Sequence, residues 1–363
     1  MEKRGFTWGW VCGGGWGCGL AVELGFGMKL FPGVAVAAAV PTVAAIVAKR
    51  ALDSKAATIN ATSHPSVDGL LMPPPVTSAV LDASDGAAIH YVDTRPDADP
   101  TLPTVVLCHG ITAQWRCWSP VMHGLTESHR VIAWDMRGHG RSTTGSDGVT
   151  IAAAARDLAE LLTHLGLTRA VVAGHSMGGM ELCRFFVDHT AVAKQRVQGA
   201  LFLATSANAN TGNRRTGGWA RSSGAILKVA SLSGDKQIVL KKDNPLAMWF
   251  VASGYGKVVS RSMVDFQIDM QNEMSPRAYQ AGMASIAQHQ VEHELRQRAE
   301  ELASIDIAVI SATLDRLTPP IHGRGIVRSL PHASWQEVAT AGHNVLLEQP
   351  EVVVDCLNKL LVG

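Results

Sequence analysis

Short apolar runs that end in turn residues recur along most of the chain. They lie at residues 104–110, 130–138, 170–176, 199–206 and 305–315. Each run is apolar along its whole length rather than at every second position, which is typical of strands that are buried on both faces of a sheet. Between two of these runs, residues 150–166 repeat apolar side chains at i, i+3 and i+4, which predicts an amphipathic helix. The alternation predicts an α/β protein with a mostly parallel, doubly wound sheet.

Two exceptions to this alternation add an antiparallel edge and a helical cap. Residues 76–95 form two short apolar stretches around the turn Ser84-Asp85-Gly86, which predicts a hairpin at the front of the sheet. Residues 207–304 carry no comparable strand signal, only helical or loop-like sequence. We therefore predict a helical cap, inserted late in the sheet. A separate second domain is the alternative, but the strand pattern resumes at Ile305 without a linker.

The first fifty residues differ from the rest of the chain. They begin with a segment rich in Gly and Trp that shows neither a helical nor a strand period. From Met28 a positive start, an apolar run over 30–48 and two basic residues resemble a signal peptide or signal anchor, so that either Met1 or Met28 is the true start. Because the run is rich in alanine and contains two prolines, we expect residues 28–50 to support weak membrane association or export rather than stable spanning. Without that targeting role, the protein is expected in the cytoplasm.

The remaining boundaries follow from composition. Residues 51–75 are rich in Ser, Thr, Asn and Asp and end in three consecutive prolines, which predicts a linker after the 1–50 leader. The core domain is then expected in two parts, residues 76–206 and 305–363, on either side of the cap.

Composition and charge narrow the class of protein. Of the 363 residues, 47% are hydrophobic and 17% are charged, which is typical of a globular chain with a large core. The net charge of +1, with basic residues scattered, favours no nucleic-acid partner. The six cysteines form no CxxC pair, so we expect neither a metal site nor a cofactor.

Polar residues of three kinds stand just after predicted strands. Ser176 ends the run "AVVAGHS", Asp315 ends "AVISATLD", and His343 follows "SWQEVA". The carboxyl ends of parallel strands meet at one edge of a sheet, so these side chains are expected to come together. Ser176 has glycines at both i−2 and i+2, and these permit a sharp strand-to-helix turn with a strained serine. An ordinary turn that happens to contain serine is the alternative.

The order serine, aspartate, histidine decides between these two interpretations. A serine hydroxyl attacks a carbonyl only when a base takes its proton, and His343 is the candidate base. Asp315 would then hold the imidazole in the correct tautomer and stabilise the imidazolium. Asp306 competes for this role, but it begins its strand and is therefore expected at the opposite edge of the sheet.

From Val76 to Val362 the chain resembles the α/β-hydrolases of the serine-nucleophile, esterase- and lipase-like branch. The resemblance is carried by "HG" at 109–110, "DMRGHGRS" at 135–142, "GHSMGG" at 174–179, "DRLTPP" at 315–320 and "AGHNVLLEQPEVV" at 341–353. It implies an oxyanion hole made by the backbone amides of Ile111 and Met177. It also implies structural rather than catalytic roles for three residues: His109 braces the oxyanion loop, and Arg137 and His139 hold the loop around Asp135.

The nucleophile limits the reaction. Epoxide hydrolases and haloalkane dehalogenases of this fold use aspartate where this chain has Ser176, so both of these enzyme classes are disfavoured. A serine nucleophile favours an acyl-transfer reaction instead. The leading hypothesis is a hydrolase that cleaves a small or medium, largely apolar carboxylic ester through an acyl-enzyme. An acyltransferase or a cofactor-free perhydrolase with the same triad is the alternative, and a non-catalytic binding relative is the third. The expected partner is a small-molecule ester, and the oligomeric state is open.

Overall fold

The computed structural model describes residues 9–11, 19–21, 35–211 and 239–362. Its contacts divide the chain into two units, Met1–Lys55 and Ala56–Gly363. In the first unit, β1 (Gly9–Val11) pairs antiparallel with β2 (Gly19–Ala21), although the sequence there shows no strand period. The helix α1 (Ala35–Ala61) begins in this unit and ends in the second.

The predicted targeting segment is only partly covered. Residues 28–34 lie outside the described residues, and the rest of the segment belongs to α1. In the described parts of the chain, no helix combines the length and the apolar character that a bilayer crossing requires. Membrane association through residues 28–50 stays a prediction.

The second unit is built on an eight-stranded sheet. In chain order its strands are β3 (Thr77–Asp82), β4 (Ala88–Asp93), β5 (Thr104–Cys108), β6 (Arg130–Trp134), β7 (Ala170–His175), β8 (Val197–Leu203), β9 (Asp306–Ala312) and β10 (Ser334–Val338). Their order across the sheet is β10-β9-β8-β7-β5-β6-β4-β3. The β3–β4 and β4–β6 pairs are antiparallel, and all other pairs are parallel. The predicted α/β fold, with a mostly parallel sheet and a hairpin at its front edge, is confirmed.

The helices connect these strands and cover both faces of the sheet. After α1 they are α2 (Pro65–Asp68), α3 (Ser119–Leu125), α4 (Ile151–His164), α5 (Met177–Asp188), α6 (Thr190–Arg196), α7 (Pro245–Ala252), α8 (Arg261–Glu273), α9 (Pro276–Gln288), α10 (Glu292–Gln297), α11 (Pro320–Ser329), α12 (Val345–Glu348) and α13 (Pro350–Val362). The predicted amphipathic helix is α4. It begins where the Thr150 side chain accepts a hydrogen bond from the Ala153 amide, and its apolar face is buried.

The central strands are apolar throughout because each face of the sheet meets its own core. Along β5, Val106 and Cys108 belong to one hydrophobic cluster, whereas Val105 and Leu107 belong to the other. All four side chains are fully buried. Successive side chains of a strand point to opposite faces, so a strand covered on both sides needs an apolar residue at every position.

Between β8 and β9 the described residues contain helices α7 to α10 and no strand. Met263 and Ile268 of α8 join the cluster of Leu107, while Met283 and Ile286 of α9 join the other cluster. These helices therefore pack against both hydrophobic clusters of the sheet. Residues 212–238 lie outside the described residues, and the helical cap over 207–304 stays a prediction.

The predicted linker is wrong from residue 56 onward. Ala56, Ile59, Val67 and Leu71 are buried in the core cluster that contains Leu107. The Arg261 guanidinium also donates to Asn60 Oδ1 at 2.7 Å. The polar residues that suggested a linker are mostly exposed, and four of the apolar residues between them, Ala56, Ile59, Val67 and Leu71, face the core. Composition alone does not separate the two faces of such a segment.

Candidate active site

Ser176 lies at the sharp turn between β7 and α5. Its backbone has φ 54° and ψ −115°, a left-handed conformation that non-glycine residues rarely adopt. Tertiary hydrogen bonds hold it there: the Ser176 amide donates to the Leu203 carbonyl at 3.0 Å, and Thr205 Oγ1 donates to the Ser176 carbonyl at 2.5 Å. The neighbouring strand β8 and its carboxyl-terminal extension thus stabilise the strained turn.

The glycines around Ser176 are required by close backbone contacts. A Cβ atom at Gly174 would lie 2.5 Å from the Gly178 carbonyl oxygen, and one at Gly178 would lie 2.6 Å from the His109 carbonyl oxygen. A Cβ atom at Gly110 would lie 2.9 Å from Ser176 Cβ. The turn, the start of α5 and residues 109–110 are therefore packed directly against one another.

The three predicted triad residues form one hydrogen-bonded chain. His343 Nε2 is 2.8 Å from Ser176 Oγ, and His343 Nδ1 is 2.9 Å from Asp315 Oδ2. All three residues are buried. Asp306, the competing acid, begins β9 and is exposed, whereas Asp315 follows the end of the same strand.

Asp315 is held as an ionised acceptor. Its Oδ1 accepts the backbone amides of Leu317 and Thr318 at 2.8 and 2.9 Å, and its Oδ2 accepts Thr318 Oγ1 at 2.7 Å as well as His343 Nδ1. Burial raises the pKa of this carboxyl, but the charge and hydrogen bond of His343 and the bonds from Thr318 outweigh burial and lower the pKa overall. An ionised carboxylate only accepts, so Nδ1 of His343 carries the proton and Nε2 is free to accept from Ser176.

The amides expected to form an oxyanion hole lie beside Ser176. Met177 is the first residue of α5, where backbone N–H groups have no partner inside the helix. Ile111 follows Gly110, which packs on Ser176. Within the described residues, neither amide has a hydrogen-bond partner. Both are therefore available to a developing oxyanion.

His109 has its ring nitrogens fully engaged. Nδ1 donates to the Gly110 carbonyl at 2.7 Å, and Nε2 accepts the Met136 amide at 2.9 Å. Burial lowers the pKa of this imidazole, which favours the neutral form. The ring joins the loop after β5 to the loop after β6, and it has no free nitrogen to act as a base.

Arg137 joins the loop after β6 to α4 and to the β3–β4 turn. Arg137 does not touch Asp135. Its guanidinium pairs with Asp157 and Asp85 and also donates to the carbonyls of Thr144 and Gly148. His139 likewise contacts the Arg137 carbonyl, at 3.1 Å, and not Asp135.

Asp135 is held instead by His90, which the sequence analysis did not single out. His90 Nδ1 lies 2.8 Å from Asp135 Oδ2, and the carboxylate also accepts the amides of Trp115 and Arg141. The available signal was a histidine directly after two apolar residues at the start of β4. The Asp135 carboxylate thereby anchors the end of the loop that begins at His109.

His175, next to the serine, positions the main chain of the base. Its Nε2 donates to the His343 carbonyl at 2.9 Å, and the two ring centroids are 4.9 Å apart. Burial and the nearby His343 lower the pKa of His175 to about 3, so its ring is neutral at ordinary pH.

No group of three or more His, Cys, Asp or Glu side chains among the described residues is arranged to hold a metal ion. The described cysteines are free thiols, and burial raises the pKa of Cys108, Cys117 and Cys183. The polar groups of the site are therefore those of the serine, histidine and aspartate chain and its backbone amides.

Comparison with known proteins identifies the family of the chain. The model of the alpha/beta hydrolase family matches residues 105–356. A non-heme haloperoxidase from Rhodococcus erythropolis is 37% identical over 137 residues, which are 35% of this chain and 47% of that protein. A putative carbamate hydrolase, RutD, from Caulobacter sp. (strain K31) is 25% identical over 286 residues, which are 76% of this chain and 95% of that protein.

Among solved structures, an esterase (EaEST) from Exiguobacterium antarcticum superposes with a TM-score of 0.66. The match covers 79% of this chain and all of that one (100%), at 16% sequence identity, and it shows a shared fold. The family model covers well over half of the polypeptide, including Ser176, Asp315 and His343. The protein belongs to the alpha/beta hydrolase family and is a hydrolase of that fold.

Proposed function

We propose that the protein is a serine hydrolase that cleaves a carboxylic ester through an acyl-enzyme. The observation that carries the proposal is the buried chain of hydrogen bonds from Asp315 through His343 to Ser176. The protein is a member of the alpha/beta hydrolase family. Its hydrogen-bonded triad includes the serine at the strand-to-helix turn after β7, at the carboxyl end of the parallel strands.

The mechanism follows from the positions of these groups. Ser176 Oγ attacks the ester carbonyl carbon while His343 Nε2 takes its proton, and Asp315 stabilises the imidazolium. The carbonyl oxygen becomes an oxyanion that accepts hydrogen bonds from the amides of Ile111 and Met177. The imidazolium then gives its proton to the leaving alkoxide, and the acyl group stays on Ser176. His343 then takes a proton from a water molecule, whose oxygen attacks the acyl carbonyl carbon. The bond to Ser176 Oγ breaks, Oγ takes the proton back from the imidazolium, and the carboxylic acid is released.

The surroundings of the Ile111 side chain support the proposal of an apolar acyl group. The side chain of Ile111 packs among apolar residues, and its Cδ1 would lie 3.1 Å from a Cβ atom at Gly282 of α9. Helix α9 of the cap therefore lies against the loop that carries an oxyanion amide. A small or medium acyl chain with little polarity fits an environment of this kind.

An acyltransferase or perhydrolase is the second candidate. It would form the same acyl-enzyme, which an alcohol or a peroxide would attack in place of water. The similarity to a non-heme haloperoxidase over 137 residues supports this candidate. A non-catalytic binding protein is disfavoured, because the complete set of Ser176, His343 and Asp315 is held in hydrogen-bonded contact.

A matched pair of serine variants tests the proposal. Ser176→Ala is expected to lose at least about 10³-fold in kcat on p-nitrophenyl esters and to lose labelling by a fluorophosphonate probe. Ser206→Ala is the control, since Ser206 Oγ also lies 2.7 Å from a buried histidine, His322, but outside the triad. The Ser206→Ala variant should keep both the hydrolysis of p-nitrophenyl esters and the labelling by the probe. Full activity in the Ser176→Ala variant would refute the assignment.

A substrate panel separates the candidate reactions. Esters of rising acyl length, together with a p-nitrophenyl carbamate, measure the preferred acyl group. Added alcohol or hydrogen peroxide then competes with water for the acyl-enzyme. Products that contain the added nucleophile, formed in excess over the free acid, would favour the transferase or perhydrolase over the hydrolase.

A further inference from the structure

A buried carboxylate joins two separate backbone segments beside the triad. Glu348, the last residue of α12, accepts the Gly342 amide on Oε1 at 2.9 Å and the Gly256 amide on Oε2 at 2.7 Å. Gly342 directly precedes His343 in the histidine loop, residues 339–344. Gly256 lies in the cap turn, residues 253–257. Only 6% of Glu348 is exposed, and its two oxygens bridge the loop and the turn.

The cap turn and the histidine loop are in direct backbone contact. The His343 amide donates to the Gly254 carbonyl at 2.7 Å, and the Lys257 amide donates to the Thr340 carbonyl at 3.0 Å. A Cβ atom at Gly342 would lie 2.5 Å from the Gly256 nitrogen. Side chains at either glycine would push the segments apart, so the contact depends on bare backbone and on the carboxylate that bridges it.

From this geometry we infer that Glu348 is a positioning residue for the proposed reaction: it fastens the histidine loop to the cap turn and so keeps His343 Nε2 within reach of Ser176 Oγ. The inference rests on the proposed function. Its physical basis is that a displacement of about 1 Å between reacting groups costs about 10²-fold in rate. The His343 amide is held by the Gly254 carbonyl, and the preceding Gly342 amide is held by Glu348. The His343 carbonyl is held by His175.

The charge of Glu348 responds to pH near neutrality. Burial raises the pKa of its carboxyl to about 7 and Asp315 adds to the increase, whereas the two amide hydrogen bonds and His343 oppose it. When Glu348 is protonated, one of its oxygens becomes a hydroxyl and accepts less well from a backbone amide. Acidification therefore weakens the bridge between the histidine loop and the cap turn.

Other ionisable groups near α12 face elsewhere or stay neutral. Tyr255 lies beside Glu348, and burial together with that carboxylate raises the pKa of its phenol. On the elements packed against α12, Arg116 pairs with Glu273, and His123 contacts the Met72 carbonyl. The thiol of Cys117 is buried, and the pKa of this thiol is raised. The charged residues of α13 are exposed: Glu351, Asp355 and Lys359.

The test compares Glu348→Gln with a matched remote variant, Glu160→Gln. Glu160 of α4 also accepts a hydrogen bond from a backbone amide, that of Ser84 in the β3–β4 turn, at 2.9 Å. This contact lies away from the triad. In Glu348→Gln, kcat on a p-nitrophenyl ester should fall about 10- to 100-fold with KM changed less than about 3-fold. The acid limb of its pH–rate profile should become shallower and move to lower pH, because a titrating group and a nearby negative charge are both removed. Glu160→Gln should match the unmodified enzyme in all three measurements.

A purely structural role for Glu348 predicts a different outcome. In that case Glu348→Gln would lower the melting temperature but leave the kcat and the pH profile of the folded enzyme unchanged, and the inference would be overturned. Glu348→Asp keeps the charge but is too short to bridge both amides, so it should lower kcat and retain the steeper acid limb. If either variant is recovered only in part, the rate of fluorophosphonate labelling per folded molecule makes the same comparison.

Ser176→Ala, measured alongside, separates this inference from the proposed function. If the Ser176→Ala variant is active, the proposed function itself is wrong. If that variant is inactive and Glu348→Gln is unaffected, only the role of Glu348 is wrong.

Discussion

Replacing Asp315 by asparagine tests how the structure prepares His343 for proton transfer. In the Asp315→Asn variant the side-chain oxygen can keep the two amide hydrogen bonds from Leu317 and Thr318 that Oδ1 now accepts. The side-chain NH₂ then takes the place of Oδ2 and faces His343 Nδ1. Because an NH₂ group donates, Nδ1 must accept, and the single proton of the neutral imidazole moves to Nε2. Nε2 would then point a proton at Ser176 Oγ and could not remove one.

The magnitude follows from this tautomer change. Loss of the correct tautomer in a serine, histidine and aspartate triad lowers kcat by about 10⁴-fold. At about 1.36 kcal/mol for each factor of ten, the activation barrier rises by about 5.4 kcal/mol. We expect KM to change much less, because Asp315 lies behind His343 and is itself buried, so it makes no direct contact with the ester.

The assay is steady-state hydrolysis of a p-nitrophenyl ester, with the melting temperature measured for each variant. Asp306→Asn is the control: it makes the same chemical change at the other end of the same strand, the exposed amino end of β9. It should keep kcat within about 3-fold, as surface substitutions generally have small effects. If Asp306→Asn inactivated the enzyme while Asp315→Asn did not, the acid would be misassigned and the tautomer argument would fail.

Two further predictions concern stability. Glu181 in α5 is fully buried, and neither of its carboxyl oxygens has a nitrogen or oxygen partner among the described residues. Burial raises the pKa of Glu181 well above its ordinary value. The free energy of unfolding should therefore fall as the pH rises above about 4.3, the pKa of glutamate in an unfolded chain. Glu181→Gln should remove this loss in denaturant unfolding measured from pH 5 to 9. Deletion of residues 1–65 should give a lower melting temperature than deletion of residues 1–55, because it also removes Ile59, whose burial contributes about 1.5–3 kcal/mol. For Glu181, a pH dependence of unfolding that is the same in the Gln variant would mean that another group causes the alkaline loss. For the truncations, equal melting temperatures after both deletions would mean that residues 56–65 contribute nothing to the core.

Much of the fold could be read from local pattern. The strands from β5 to β9 were predictable because a strand covered on both faces needs apolar side chains at every position, and this leaves an uninterrupted signal. The turn at Ser176 was predictable because Gly174 meets the Gly178 backbone only four residues further along the chain, although the close contact that requires glycine at 178 comes from the distant His109 carbonyl. The separation of Asp315 from Asp306 also followed from the sequence, since the two ends of a strand lie at opposite edges of a sheet.

The rest was decided by contacts between segments that are distant in the chain. Glu348 meets Gly256, and His90 meets Asp135, only because the sheet brings their elements together; neither pair has a spacing that marks it in the sequence. The burial of Ile59 in a stretch of linker-like composition was missed for the same reason. Local sequence sets the preferences of a segment for helix, strand or turn, but the partner of a polar group and the buried face of a helix are set by whatever the completed fold places against them.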